Sequence, residues 1–113
     1  MKRGEIWVAN LNPTRGREVG KIRPVLIIHA NELINIGSPM LVVLPLTTQI
    51  RPESKLWRVT ITARGHLKQT CQIIVDQPRS LDRSRLGEGP LTTLTKTELE
   101  SVEHGLKVAL GIY

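Results

Sequence analysis

Two short, unbroken apolar runs constrain this chain more than any other feature: Val25-Leu26-Ile27-Ile28 and Leu41-Val42-Val43-Leu44. Each is too short for a helix, and β-branched and leucine side chains suit a pleated strand covered on both faces. Both are read as central strands that carry the core. Ile6-Trp7-Val8 opens an earlier strand that stops at the turn-forming Asn10-Leu11-Asn12-Pro13. Trp57-Arg58-Val59-Thr60-Ile61-Thr62 alternates apolar and polar, as a half-exposed strand does, and Cys71 to Val75 supplies another buried one. The period then changes. Thr95 and Glu98 match a capping box, Leu99, Val102, Leu106 and Ala109 recur at helical spacing, and Gly111 can end the helix. Five or more short strands followed by one amphipathic helix predict a mainly β fold, a strongly bent antiparallel sheet or partly open small barrel with a C-terminal helix packed on it. With 113 residues, no linker and no internal repeat, residues 1–113 are read as a single domain.

Charge narrows the partner class. The net charge is +6, and residues 1–30 carry six of the cations (Lys2, Arg3, Arg15, Arg17, Lys21, Arg23) against Glu5 and Glu18. The last nineteen residues set Lys96 and Lys107 against Glu98, Glu100 and Glu103, so the positive charge lies away from the C-terminal segment. A polyanion is the first partner to consider. Aromatic residues make up only 3% of the chain and Phe is missing, so a grip on nucleic acid is expected to rest on cations, backbone amides and polar side chains rather than on stacking platforms. No apolar run approaches the roughly 20 residues of a membrane span, and Met1-Lys2-Arg3-Gly4-Glu5 leads straight into a strand, which reads as a soluble, cytoplasmic protein with no membrane partner. The lone Cys71 has no disulfide partner in the chain and reads as core filling. No Cys/His pair at zinc spacing, no metal-type carboxylate pair and no Gly-rich phosphate loop is present, so neither a metal nor a nucleotide cofactor is expected.

Pairing the two central runs as antiparallel neighbours, with Ala30 facing Met40, sets Arg23 opposite Thr47 at one end of a buried scaffold. A basic, glycine-bearing loop over residues 14–21 precedes Arg23. A guanidinium stays charged and can grip two phosphate oxygens, so Arg23 suits stabilisation of the extra negative charge on phosphorus as a 2′-hydroxyl attacks, with Thr47 holding an oxygen by a hydrogen bond. Glu18 or Asp76 can accept the 2′-hydroxyl proton or orient Arg23, and these two roles stay open. An isolated arginine at a strand end is more often a surface ion pair. The rival set for metal-free RNA cleavage is the histidines, but His29 falls at the far end of its strand from Arg23, His66 in a loop and His104 on the helix with Glu100 and Glu103.

Five ordered blocks carry a resemblance: Arg3-Gly4-Glu5-Ile6-Trp7; Asn12-Pro13-Thr14 with Gly16 and Glu18; Ile22-Arg23-Pro24-Val25-Leu26-Ile27; Leu44-Pro45-Leu46-Thr47; and Asp76-Gln77-Pro78-Arg79-Ser80-Leu81-Asp82. Together with the closing helix they resemble the MazF/PemK/Kid toxins over nearly the whole chain. The resemblance implies an SH3-like small barrel shared with the CcdB group, and a homodimer that cuts single-stranded mRNA at a short sequence without metal, leaving a 2′,3′-cyclic phosphate and a 5′-hydroxyl. It also implies inhibition by an antitoxin whose acidic segment occupies the RNA groove. By motif, Arg23 and Thr47 match the family's catalytic arginine and threonine, Glu18 its acidic loop position, and Asp76, Gln77 and Arg79 its second substrate-contacting block. Two positions depart from the Kid/PemK branch: Arg17 stands where those relatives place a His and Ile74 where they place an Arg, which favours the Arg/Thr version of the chemistry. The loops at 11–21 and 48–56 are expected to shape the recognised RNA word, with Arg15, Arg17, Lys21, Thr48, Gln49, Arg51 and Lys55 as contacts to RNA. Two other functions use the same kind of fold: a CcdB-like toxin that binds DNA gyrase and needs no Arg/Thr pair, and a non-catalytic SH3-like nucleic-acid-binding module, which would tolerate loss of Thr47.

Overall fold

The computed structural model describes residues 1–12, 16–17 and 21–113. Within them the chain forms β1 (Glu5–Asn10), β2 (Ile22–Ile27), a one-turn helix α1 (Asn31–Asn35), β3 (Met40–Thr47), β4 (Arg58–Ile61), β5 (Cys71–Ile74), β6 (Arg79–Asp82), β7 (Thr92–Thr93) and the helix α2 (Lys96–Leu110). The strands run β4-β5-β3-β2-β1-β7 across the sheet, with β6 also paired to β3, and all these pairings are antiparallel. The mainly β class with a C-terminal helix is therefore as expected. Among the described residues no helix is long and apolar enough to cross a membrane.

The two apolar runs do what their composition requires. Alternate residues of a strand point to opposite faces. Leu26 and Leu44 fall in one buried cluster, with Ile6, Leu46, Ile61, Ile73 and Val75, whereas Val25, Ile27, Leu41 and Val43 fall in a second, with Leu11, Ile34 and Leu81. α2 closes the first cluster through Val102, Leu99 and Leu106. Its start is the expected capping box, in which the Thr95 side chain accepts from the Glu98 amide and the Glu98 carboxylate accepts from the Thr95 amide. Gly111 ends it at φ 71°, a left-handed conformation that glycine adopts without a Cβ penalty. Ala109, expected on the packed stripe, is exposed because the last turn runs past the sheet.

β3 is the branching element. One edge pairs with β2 over Val43–Pro45, the other with β6 over Met40–Val43 and then with β5 over Leu46–Thr47. The β2–β3 register agrees with the expected one, Val25 with Pro45, Leu26 with Leu44 and Ile27 with Val43. It does not extend to Arg23 and Thr47 as a ladder pair. Pro24 brings no N–H to the ladder there and the β2–β3 pairing stops at Val25–Pro45, while on their other edges Arg23 pairs with Ala9 of β1 and Thr47 with Gln72 of β5. The resulting gap is the mouth of a groove.

Candidate active site

The groove is a cavity of about 1050 Å³ between the end of β2, the β3–β5–β4 strands and the segment 48–57. Five cations line it, Arg17, Lys21, Arg23, Arg51 and Arg58, against a single carboxylate among the described residues, Asp76. Thr47, Thr48, Gln49, Ser54 and Gln77 add polar groups, and Trp57, Ile22, Pro24, Leu46 and Ile74 apolar surface.

Arg23 and Thr47 both line this groove although they are not ladder partners. The Arg23 guanidinium crosses the gap and donates from Nη1 to the Leu46 carbonyl at 3.3 Å, next to Thr47 in sequence. Burial lowers the Arg23 pKa from its ordinary value, because partial removal from water penalises the charged form. A bound anion would reverse that penalty. Thr47 is 9% exposed, and its Oγ1 accepts from the Gln49 amide at 3.1 Å, which leaves its own O–H to donate. A fixed cation and an oriented hydroxyl donor thus face one groove.

Gln72, on β5, lies between Thr47 of β3 and Thr60 of β4 in the sheet register and is 4% exposed. Its Oε1 accepts from the Arg51 amide at 2.9 Å and from Arg58 Nη1 at 3.4 Å, and its Nε2 donates to the Arg51 carbonyl and to Thr60 Oγ1. Arg58 also donates to the Gln49 carbonyl at 2.9 Å. Arg58, Trp57 and Ser54 line the groove and Gln72 bonds to its wall, and the sequence reading singled out none of them. For Arg58 the signal was present: in the alternating 57–62 strand it shares a face with Thr60, the face that turns out to meet Gln72. Trp57, 43% exposed, lines the groove, so one aromatic surface is present where none was expected. Ile74 is buried in the wall, and its cross-strand partner Arg58 brings a cation to the same cavity.

The other expected positions divide. Arg17, Lys21, Thr48, Gln49, Arg51, Asp76 and Gln77 line the groove. Arg15 and Glu18 lie outside the described residues. Lys55 lines a second, smaller cavity beside α2 with Leu56, Glu100 and His104. Arg79, on β6, lies outside the groove lining and donates to the Leu11 carbonyl at 3.3 Å, while Arg85 donates to the carbonyls of Asn10 and Asn12. These two arginines hold the start of the loop that leads to Lys21, whose amide donates to Asn12 Oδ1 at 2.9 Å. No histidine lines the groove. His29 accepts from the Val42 amide through Nδ1 and contacts Ser38 through Nε2, a structural role at the opposite end of β2. Cys71 is buried, and burial raises its pKa, so it is held as a thiol. Among the described residues no group of three His, Cys, Asp or Glu side chains is assembled.

Comparison with known proteins places this geometry. The chain is 34% identical to Endoribonuclease MazF of Staphylococcus saprophyticus subsp. saprophyticus, over 100% of this chain and 93% of that protein. Its structure resembles MazF from Deinococcus radiodurans (Form-I), with a TM-score of 0.80 at 27% identity over 98% of this chain and 96% of that one. It also resembles the MazE–MazF structure (Form-II) from the same organism, with a TM-score of 0.74 at 26% identity, covering 100% and 97% of the two chains. The model of the family described as PemK-like, MazF-like toxin of type II toxin-antitoxin system matches residues 2–110, and this chain belongs to that family.

Proposed function

We propose that this chain, acting as one toxin domain over residues 1–113, is a sequence-specific endoribonuclease that cuts single-stranded mRNA without a metal ion. The observation that carries the proposal is that Arg23, bonded to the Leu46 carbonyl, and Thr47, the next residue along, line one groove with four further cations and one carboxylate among the described residues. The Staphylococcus relative bears the name endoribonuclease, which supports the same class of activity.

In this mechanism the scissile phosphate binds between Arg23 and Thr47. The 2′-oxygen attacks phosphorus, its proton passes to a carboxylate, Glu18 or Asp76, and the bond to the 5′-oxygen breaks, giving a 2′,3′-cyclic phosphate and, after protonation of the leaving oxygen, a 5′-hydroxyl. Arg23 compensates the charge that builds on the phosphoryl oxygens, and Thr47 donates to one of them. Arg17, Lys21, Arg51 and Arg58 hold flanking phosphates, while Trp57 offers one face for a base. The protein works in the cytoplasm as a homodimer. An antitoxin with an acidic segment competes for the same groove, in line with the MazE–MazF pairing of the Deinococcus relative. The test is a short RNA carrying the recognised sequence, with one 2′-deoxy nucleotide at the cut site. Loss of cleavage at that bond alone supports attack by the 2′-hydroxyl, and unchanged cleavage contradicts it.

A further inference from the structure

Gln72 is a buried amide with no part in the phosphate chemistry proposed above, yet its hydrogen bonds converge on the groove wall. Its two ends serve opposite groups of one residue: Oε1 accepts from the Arg51 amide at 2.9 Å, and Nε2 donates toward the Arg51 carbonyl at 3.4 Å. Only a primary amide offers a donor and an acceptor in that arrangement. The donors Arg51 N–H and Arg58 Nη1 fix which end of the amide is Oε1, and Thr60 Oγ1, at 3.2 Å, takes a hydrogen bond from Nε2. Arg58 Nη1 joins Gln72 Oε1 to the Gln49 carbonyl, so the main chain is held at both Gln49 and Arg51. The same segment returns to the reacting centre, because the Gln49 amide donates to Thr47 Oγ1 at 3.1 Å.

We propose that Gln72 is a positioning residue for RNA selection: by clamping the main chain of Gln49–Arg51 it presents that segment to the bases in one geometry. This rests on the ribonuclease reading above. A loop free to take several shapes would accept several sequences, whereas a loop held at both ends by hydrogen bonds accepts few. A residue that merely filled the core would change stability and leave the choice of sequence alone.

The test compares wild type, Gln72→Met, which keeps the volume without the polar groups, and Thr60→Val, an exposed substitution that removes one acceptor of the amide Nε2. Amide hydrogen exchange in the free protein reads the clamp, and sequencing of cut sites on a long mixed RNA, with kcat and KM on the wild-type site, reads selection. Loss of the bonds to Arg51 is expected to speed exchange of its amide by about tenfold or more in Gln72→Met. The set of cut sequences broadens, and KM for the wild-type site rises by about tenfold, a larger change than that in kcat. Thr60→Val shifts all three readouts in the same direction by less. Folded Gln72→Met with wild-type exchange at Arg51, or with fast exchange but an unchanged cut sequence and KM, overturns the proposal. Should Gln72→Met not fold, an unchanged cut sequence and KM in Thr60→Val overturn it instead. A wild-type protein inert toward RNA would sink the ribonuclease reading and with it the selection role, while the exchange rates would still report the clamp by themselves.

Discussion

Arg23 and Thr47 are each unremarkable alone, and their value comes from one carbonyl. By donating to Leu46, the guanidinium is held where the strands separate, beside a hydroxyl whose acceptor side is already occupied by the Gln49 amide. Removing one preorganised donor to a developing negative charge costs about 10²- to 10³-fold in kcat, so Arg23→Ala and Thr47→Ala are each expected to lose cleavage to that extent with circular dichroism spectra unchanged. Arg23→Lys keeps the charge but not the fork, and is expected to recover only part of the rate in the same assay. The Arg/Thr pair was legible in the sequence because Arg23 precedes Pro24 and Thr47 follows Pro45-Leu46 at the ends of apolar runs, where a short register argument brings them close. Gln72 was not legible as a groove residue, and Arg58 only through the strand face it shares with Thr60. Their partnership depends on β4 lying beside β5, and no local pattern announces which strands are neighbours. Arg79, a motif position expected at the substrate, lies outside the groove lining and donates to the Leu11 carbonyl at the base of the preceding loop.

Elements were read best where their period was strong. The two apolar runs, the 57–62 and 71–75 strands and the capped C-terminal helix all exist, whereas β6, β7 and α1 escaped notice. β6 is four residues inside a polar stretch and exists because β3 offers it an edge, and α1 is a single turn whose Ile34 carbonyl and following Ser38 carbonyl are bonded by Arg83. α2 is tied to the sheet through a more legible device. Arg64 grips both carboxylate oxygens of Glu98, at 2.7 and 2.6 Å, while Glu98 completes the capping box with Thr95. These bonds, that from Arg64 foremost, pull the Glu98 pKa down from 4.5 to about 2. A carboxyl depressed in the folded state stabilises the fold above its unfolded value, and that contribution fades as pH falls from about 4.5 through about 2. Wild type is therefore expected to exceed Glu98→Gln in urea midpoint at pH 6, with the difference closing as pH falls to about 2. Thr95→Ala, which removes the other half of the box, is expected to cost about 1 kcal/mol in the same titration at pH 7.

Across the molecule, charge and shape coincide. The net +6 is not spread evenly, since the groove gathers five cations against one carboxylate among the described residues, on the side of the sheet where β2 and β3 part. α2 instead carries Glu98, Glu100 and Glu103 and covers one of the two apolar clusters. A single-stranded polyanion bound by three to five of these cations should lose affinity with salt at a slope of roughly −2 to −3.5 in log K against log salt, from about −0.7 per phosphate contact, as measured by fluorescence anisotropy with the Thr47→Ala protein. Composition pointed to a polyanion as the partner to test, while the groove itself depends on the β2–β3 ladder ending at Pro24, an effect that only the paired strands reveal. The central claim is that the Arg23/Thr47 groove cuts RNA without metal. The most direct measurement is incubation of antitoxin-free protein with a long RNA in EDTA, beside Arg23→Ala, with cut sites read by primer extension and end groups by mass spectrometry. Cyclic phosphate and 5′-hydroxyl ends at one repeated short sequence, lost in Arg23→Ala, are the predicted result; intact RNA from well-folded wild type, or equal cutting by Arg23→Ala, would contradict it.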